Sequence, residues 1–262
     1  NVSERRRDAS YYDLLASEAR LGSYVAIAQG DLPQDHWFAL GRLVTSWKSE
    51  TSLLSWSGSM FEYWRPLLVM PTFPGTLLDH TYRAVVRRQI EYGAKLDTPW
   101  GVSESAYNAT DLQHTYQYKA FGVPGLGFKR GLAAERVIAP YATVMAVMVA
   151  PAAATNNLIR MRDMGFEGRY GFYEAIDYSP QRLATGQSHA LVRAFMAHHQ
   201  GMSFLALAYL LLDQPMQMRF RSRSDLKATE LLLHERVPKQ AAMYPHAREV
   251  SEGPPIDRGA GA

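Results

Sequence analysis

Cysteine is absent from the 262 residues, which excludes disulfides and thiolate metal sites and is compatible with a reducing compartment. An excess of charge is nearly absent too. The 28 basic and 25 acidic residues leave +3, and the longest basic run is residues 5–7, so nucleic acid is not an expected partner despite a pI near 9.0. No apolar run reaches the roughly 20 residues that span a bilayer. The longest, 139–154, contains Pro140 and Pro151, so no membrane contact is expected of this segment. The N-terminus lacks an apolar signal core and reads as the middle of a longer chain. Gly122, Gly125 and Gly127 follow no β-branched strand and form no dinucleotide fingerprint. His198 and His199 are adjacent, so on a helix they would point about 100° apart, which argues against a shared metal. Neither a metal nor a cofactor is expected.

What is present is ample apolar content, 47%, enough for a sizeable core. The reading is one domain over 1–240, with 241–262, rich in Pro, Gly and Ala, as a linker or tail. Leu14, Leu21 and Val25 recur at helical spacing between a Ser10 cap and Gly30, and a short helical turn follows over 34–41. The stretch 51–70 reads as a helix cut by Pro66. Residues 76–96 form a clear amphipathic helix whose Arg83, Arg87 and Arg88 read as a solvated face. After an irregular stretch over 106–130, helices at 139–149 and 152–164 make a hairpin. Further helices are expected at 187–199, 202–212 and 225–235. No apolar–polar alternation long enough for a sheet and no fixed repeat is visible, so the expected class is all-α.

Three acids sit among aromatics. In 98–108, TPWGVSESAYN, Glu104 lies between Trp100 and Tyr107, where partial exclusion of water favours the protonated form or demands a partner. The bland alternative is a first-turn glutamate behind an N-cap serine. Glu62 is flanked by Phe61, Tyr63 and Trp64, with pairing to Arg65 as its alternative. Glu174 shares the second aromatic stretch, 168–180 (GRYGFYEAIDYSP), with Asp177 at helical spacing and Tyr173 beside it. A fourth acid, Glu18, falls on the first helix's apolar stripe, where an unpaired charge costs several kcal/mol, roughly. It needs a job or a partner such as Arg20 or Arg65.

The strings YYDLLASEARLGSYVAIAQGD, SWSGSMFEYWRPLLVM, TPWGVSESAYN, YQYKAFGVPGLGFKRGL, GRYGFYEAIDYSP and MAHHQGMS resemble the glycoamylase-like domain of bacterial cyclic β-1,2-glucan synthases, over nearly everything from Tyr11 to Glu235. The resemblance implies an (α/α)6 barrel of helical hairpins, lacking the family's N-terminal helices in this chain. The parent would be a large synthase on the cytoplasmic side of the bacterial inner membrane, carrying a glycosyltransferase and a phosphorylase-like domain as further partners. The implied substrate is a linear β-1,2-glucan chain, closed into a ring by anomer-retaining transglycosylation. Two glutamates carry it, Glu18 as acid/base and Glu104 as nucleophile. Retention would ask for carboxyls about 5 Å apart. Trp56, Trp64, Trp100, Tyr107, Tyr118, Tyr173, His198 and Gln200, with Glu62 and Glu174, are the expected sugar-binding residues. An endo-β-1,2-glucanase and a non-catalytic glycan-holding module remain the alternatives.

Overall fold

The computed structural model describes residues 4–6, 11–47 and 50–238. The expected tail over 241–262 and the Ser10 cap lie outside them. Helices Ala19–Ala28 (α1) and Asp35–Ala39 (α2) are followed by the hairpin Val44–Trp47 (β1) and Glu50–Leu53 (β2). Met60–Trp64 (α3) and Leu77–Lys95 (α4) come next, then a second hairpin, Ser105–Thr110 (β3) and Tyr116–Lys119 (β4). Val137–Ile138 (β5), Pro140–Met145 (α5), Pro151–Asp163 (α6), Glu167–Gly168 (β6), Gly171–Phe172 (β7), Ala175–Asp177 (β8) and Ala190–Val192 (β9) follow. Ala197–Leu211 (α7), Pro215–Ser222 (α8) and Ser224–Ala228 (α9) close the described chain.

The all-α expectation, and with it the barrel of helical hairpins, is corrected. Among the described residues, nine strands form four small antiparallel sheets between the helices, the largest in the order β5–β8–β9. These strands are two to six residues long, too short to show a period of two, and they take their pairing from chain far away. The helix expected over 187–199 is the clearest case. Ala190, Leu191 and Val192 pair with Asp177, Ile176 and Ala175, and α7 begins only at Ala197, running on through Gln200 and Gly201, where a break was expected. The start of 51–70 is β2, and the front of 106–130 is the β3–β4 hairpin.

Where apolar spacing is long, the expected helices form. Thr76 caps α4 by accepting the Asp79 N–H at 3.3 Å, and α5 and α6 each start on a proline whose missing N–H costs nothing there. Arg83 and Arg87 are exposed as read, but Arg88 is buried and donates to the Pro124 carbonyl at 2.9 and 3.2 Å. Its place on the arginine-rich face is corrected. The core gathers Trp37, Trp64, Tyr24, Tyr63, Leu53, Leu67 and Met60. Buried within it, Arg20 donates to the carbonyls of Leu15, Ser17 and Tyr63 and to the Tyr82 hydroxyl. Four acceptors on three chain segments satisfy the guanidinium and tie the start of α1 to α3 and α4.

The loop 55–59, SWSGS, is pressed against 122–128 by backbone bonds such as Ser55 N–H to Leu126 O (3.0 Å) and Val123 N–H to Gly58 O (3.2 Å). At Gly122 a Cβ would stand 1.7 Å from the Ser57 carbonyl oxygen. Gly122→Ala is therefore expected to cost about 1–3 kcal/mol through overpacking. Gly22→Ala, in the exposed part of α1 with open space around it, should gain roughly 0.5–1 kcal/mol. Thermal unfolding of the two variants reads this directly; a Gly122→Ala melting as high as Gly22→Ala would refute the close approach.

Candidate active site: three carboxyl groups at one place

The loop 55–59 folds around Glu62. As the third residue of α3, Glu62 forms a capping box with Ser59. Its carboxylate also accepts the backbone N–H groups of Trp56 and Ser57 at 3.1 Å, the Ser55 hydroxyl at 3.0 Å and the Ser57 hydroxyl. It is 3% exposed. The expected Arg65 partner is thereby corrected: neutral donors, not a cation, satisfy this charge.

Glu104 sits at the end of a loop clamped from four helices. The Gln89 amide in α4 accepts from the N–H groups of Gly101 and Val102 and donates to Val102 O. Asn157 in α6 brackets Trp100 at its N–H and carbonyl, and Thr143 in α5 donates to the same carbonyl. The Ser103 hydroxyl accepts the Phe61 N–H at 3.0 Å, from α3, and Tyr141 donates to the Glu104 carbonyl at 2.8 Å. These bonds fix the backbone of Glu104 and leave its side chain partly buried, with the Tyr118 hydroxyl donating to Oε1 at 2.7 Å. Burial raises the Glu104 pKa; the Tyr118 bond and His199 work against this, and the nearby charges of Glu18 and Glu62 add to it. Among the described residues no lysine or arginine pairs with it.

Glu18 stands at the N-cap position of α1, with no capping bond from its side chain, instead of lying on the stripe, because the helix begins at Ala19. It is paired with neither Arg20 nor Arg65, as the alternative reading had it. It accepts the Tyr12 hydroxyl at 2.8 Å, at the helix end that favours negative charge. Burial, then Glu62, Glu18 and Glu104, hold the Tyr12 pKa well above its ordinary value, so the phenol remains a donor. One tyrosine is thus within electrostatic reach of Glu18, Glu62 and Glu104, and bonded to the first of them.

Behind Glu104 lies a fourth acid. Glu174 and Asp177, read as a helical pair, bracket β8 instead and go to separate partners. Asp177 pairs with Arg182 at 2.6 Å. Glu174, 2% exposed, meets Nδ1 of the fully buried His199 at 2.8 Å and accepts the Ala106 N–H. His199 stacks on Tyr141, with ring centroids 3.7 Å apart and planes 8° from parallel, and its Nε2 lies 3.3 Å from the Tyr118 hydroxyl.

The expected sugar-binding residues divide. Trp56 and Tyr118 are exposed, 38% and 42%. Tyr173, Glu174 and Gln200 line a cavity of about 180 Å³ together with Tyr141 and Ser203. His198 is exposed, its pKa lowered by partial burial, His199 and Arg65. Tyr107 lies under the Arg182 guanidinium, 4.8 Å from its ring centre. Trp64 and Trp100 are corrected: at 0% and 6% exposure they are core residues and offer no face to a sugar. Tyr12 and Tyr141 went unread in the sequence, and His199 was weighed there only as a metal ligand. Tyr12 had a signal in lying six residues before Glu18, but His199 had none, since its partner is 25 residues away. Among the described residues no cluster of His, Asp and Glu is arranged to hold a metal, and no helix is long and apolar enough to cross a membrane.

Residues 10–223 match the Glycoamylase family model. The chain is 47% identical over 248 residues to the cyclic β-(1,2)-glucan synthase NdvB of Rhizobium meliloti (strain 1021), taking in 95% of this chain but only 9% of that protein. Among solved structures, an endo-β-1,2-glucanase from Talaromyces funiculosus in complex with sophorose superposes with a TM-score of 0.59 at 18% identity, over 87% of this chain and 47% of that one. An endo-β-1,2-glucanase from Chitinophaga pinensis, with sophorotriose and glucose, gives 0.56 at 15% identity, over 80% and 52%. Both share its fold, and the chain spans about half the length of each.

The two neighbouring acids should respond oppositely to neutralisation. Below the ordinary glutamate value of 4.5, Glu104 keeps its proton whether folded or unfolded. As pH rises, the unfolded chain ionises first, so stability falls until the folded carboxyl ionises as well, and then stays level. Glu104→Gln should therefore raise Tm at neutral pH, with a gain that vanishes on acidification toward 4.5. Glu62→Gln strands several donors and should cost roughly 2–4 kcal/mol. Shifts of the same sign in both variants would contradict this assignment of the two environments.

Proposed function

We propose, on the premise that the chain belongs to the Glycoamylase family, that it acts on β-1,2-glucan as one domain of a larger synthase and closes the linear chain into a ring by anomer-retaining transglycosylation. Within that synthase it works on the cytoplasmic side of the inner membrane. One observation carries the reading. Glu104 is a desolvated carboxyl, hydrogen-bonded by a phenol and facing two further carboxyls, with no cation paired to it among the described residues. The structural acids nearby are otherwise supplied, Asp177 by Arg182 and Glu62 by a full set of hydroxyl and N–H donors. Perturbed carboxyls of this kind mark acid–base sites.

The environments favour the reverse of the roles that the resemblance implies. A carboxyl whose pKa is raised suits the proton donor, so Glu104 is the acid/base and Glu18, oriented by Tyr12, the nucleophile. In the first step a Glu18 oxygen bonds to the anomeric carbon while the glycosidic bond breaks, and Glu104 gives its proton to the departing oxygen. In the second step a hydroxyl at the other end of the same chain attacks that carbon. Glu104 takes the hydroxyl proton, and the Glu18–carbon bond breaks. Two displacements at one carbon restore the β configuration. Trp56 and Tyr118, the exposed aromatics beside these acids, are the sugar platforms of this reading.

Hydrolysis differs only in the second attacker. Two solved structures of the same fold bear the name of glucanases, and that keeps it as the second reading. Incubation with linear β-1,2-glucan and mass analysis of the products separates the two. Cyclisation gives species one water lighter than linear chains and without reducing ends; shorter linear chains would establish hydrolysis instead. Glu18→Gln and Glu104→Gln should each lose at least about 10²-fold in turnover. With a glycosyl fluoride donor, which needs no leaving-group proton, Glu104→Gln should recover and Glu18→Gln should not. The opposite pattern of rescue would return the roles to the first assignment.

A further inference from the structure

Tyr118 stands between two groups that it cannot serve alike. Its oxygen is 2.7 Å from Glu104 Oε1 and 3.3 Å from His199 Nε2, yet a phenol has one proton to give. On the far side of the ring, Nδ1 is within 2.8–2.9 Å of both Glu174 oxygens. Glu174 is itself buried, with the Ala106 N–H as its other donor. A buried carboxylate beside Nδ1 keeps a proton on that nitrogen, and the stack on Tyr141 holds the ring in plane. Nε2 is thus left to face Tyr118, either bare or protonated.

We infer that Tyr118 and His199 form a proton relay to Glu104, in which Glu174 fixes the imidazole and His199 is a positioning residue that shares the Glu104 proton whenever no leaving oxygen is taking it. Two arrangements hold the same number of protons. In one, Glu104 is protonated and donates to the Tyr118 oxygen, while Tyr118 donates to a bare Nε2. In the other, the Glu104 O–H bond has broken in favour of Tyr118 and the Tyr118 O–H bond in favour of Nε2, leaving a carboxylate, an unchanged phenol and an imidazolium held by Glu174. The charges facing this chain come from every side: Glu18 and Glu62 act on Glu104, His198 adjoins His199 on α7, and Arg65 acts on His198. Burial, then Glu104 and Glu174, hold the Tyr118 pKa far above its ordinary value, so the phenol passes a proton on without remaining ionised. The two arrangements interchange between displacements, because within a turnover the Glu104 proton goes to the leaving oxygen and returns from the attacking hydroxyl.

The role in turnover rests on the glucan reading above, whereas the relay itself does not, and the test separates them. Tyr118 is exposed, so Tyr118→Phe keeps the fold. Imidazole-nitrogen NMR of the chain should show the His199 Nε2 resonance changing as Glu104 titrates, and both Tyr118→Phe and Glu104→Gln should abolish that coupling. In Tyr118→Phe the Glu104 limb of the pH–rate profile should move to higher pH, since a bond favouring the carboxylate is gone. Adding His199→Phe should move it no further, as expected of one chain of hydrogen bonds. An Nε2 resonance indifferent to Glu104, or shifts that simply add, would overturn the relay. If the chain fails to turn over β-1,2-glucan but the NMR coupling is present, the relay stands and the substrate assignment falls. If glucan is turned over and the limb does not move in Tyr118→Phe, the relay falls alone.

Discussion

Mutual repulsion among Glu18, Glu62 and Glu104 is the constraint around which this fold is arranged. No lysine or arginine pairs with any of the three among the described residues, so the structure contains their charge by other means, and the means differ for each. Glu62 is wrapped by serine hydroxyls and backbone N–H groups. Glu18 has the N-terminus of α1 and one phenol. Glu104 has one phenol and partial burial, which raises its pKa. A graded supply of donors gives three chemically identical groups three different environments, which is the ground for the roles proposed for them.

The small sheets and polar clamps make sense as the devices that keep these groups in place. Each clamp spans distant chain: Arg20 reaches Tyr63 and Tyr82, Gln89 reaches Val102, Asn157 reaches Trp100, and Glu174 reaches His199. Every one of these side chains is buried and hydrogen-bonded, so shifting a carboxyl would break bonds that water cannot replace. The glycine contacts at 122 and 127 act similarly, by letting two backbones touch where any side chain would push the Glu62 loop away. Rigid placement is what a reaction with two carboxyls and one anomeric carbon requires.

Local signals in the sequence were read well and non-local ones poorly. The amphipathic spacing of α4 and the proline-started α5 and α6 are visible because period and caps lie within one segment. Glu18 and Glu104, taken from resemblance to a family, are within electrostatic reach of each other, and no local pattern could have joined residues so far apart in the chain. Arg65 was a plausible partner for Glu62 by spacing alone, but the real donors come from a loop that only the 122–128 backbone holds in shape. Trp64 and Trp100 were read as sugar platforms because an aromatic beside an acid looks the same in sequence whether its ring faces solvent or core. His199 was passed over for the same reason: what distinguishes it from His198 is burial against Tyr141 and a carboxylate that stands just before β8.

The claim on which the account rests is that the Glu104 carboxyl titrates above the ordinary glutamate value in the folded chain, and infrared titration reads this most directly. A protonated-carboxyl C=O band should persist in the wild-type chain above pH 4.5, the ordinary glutamate value, and be missing in Glu104→Gln. A band that fades near 4.5, or one that survives in Glu104→Gln, would show that the raised carboxyl is not Glu104 and would remove the ground for making it the acid.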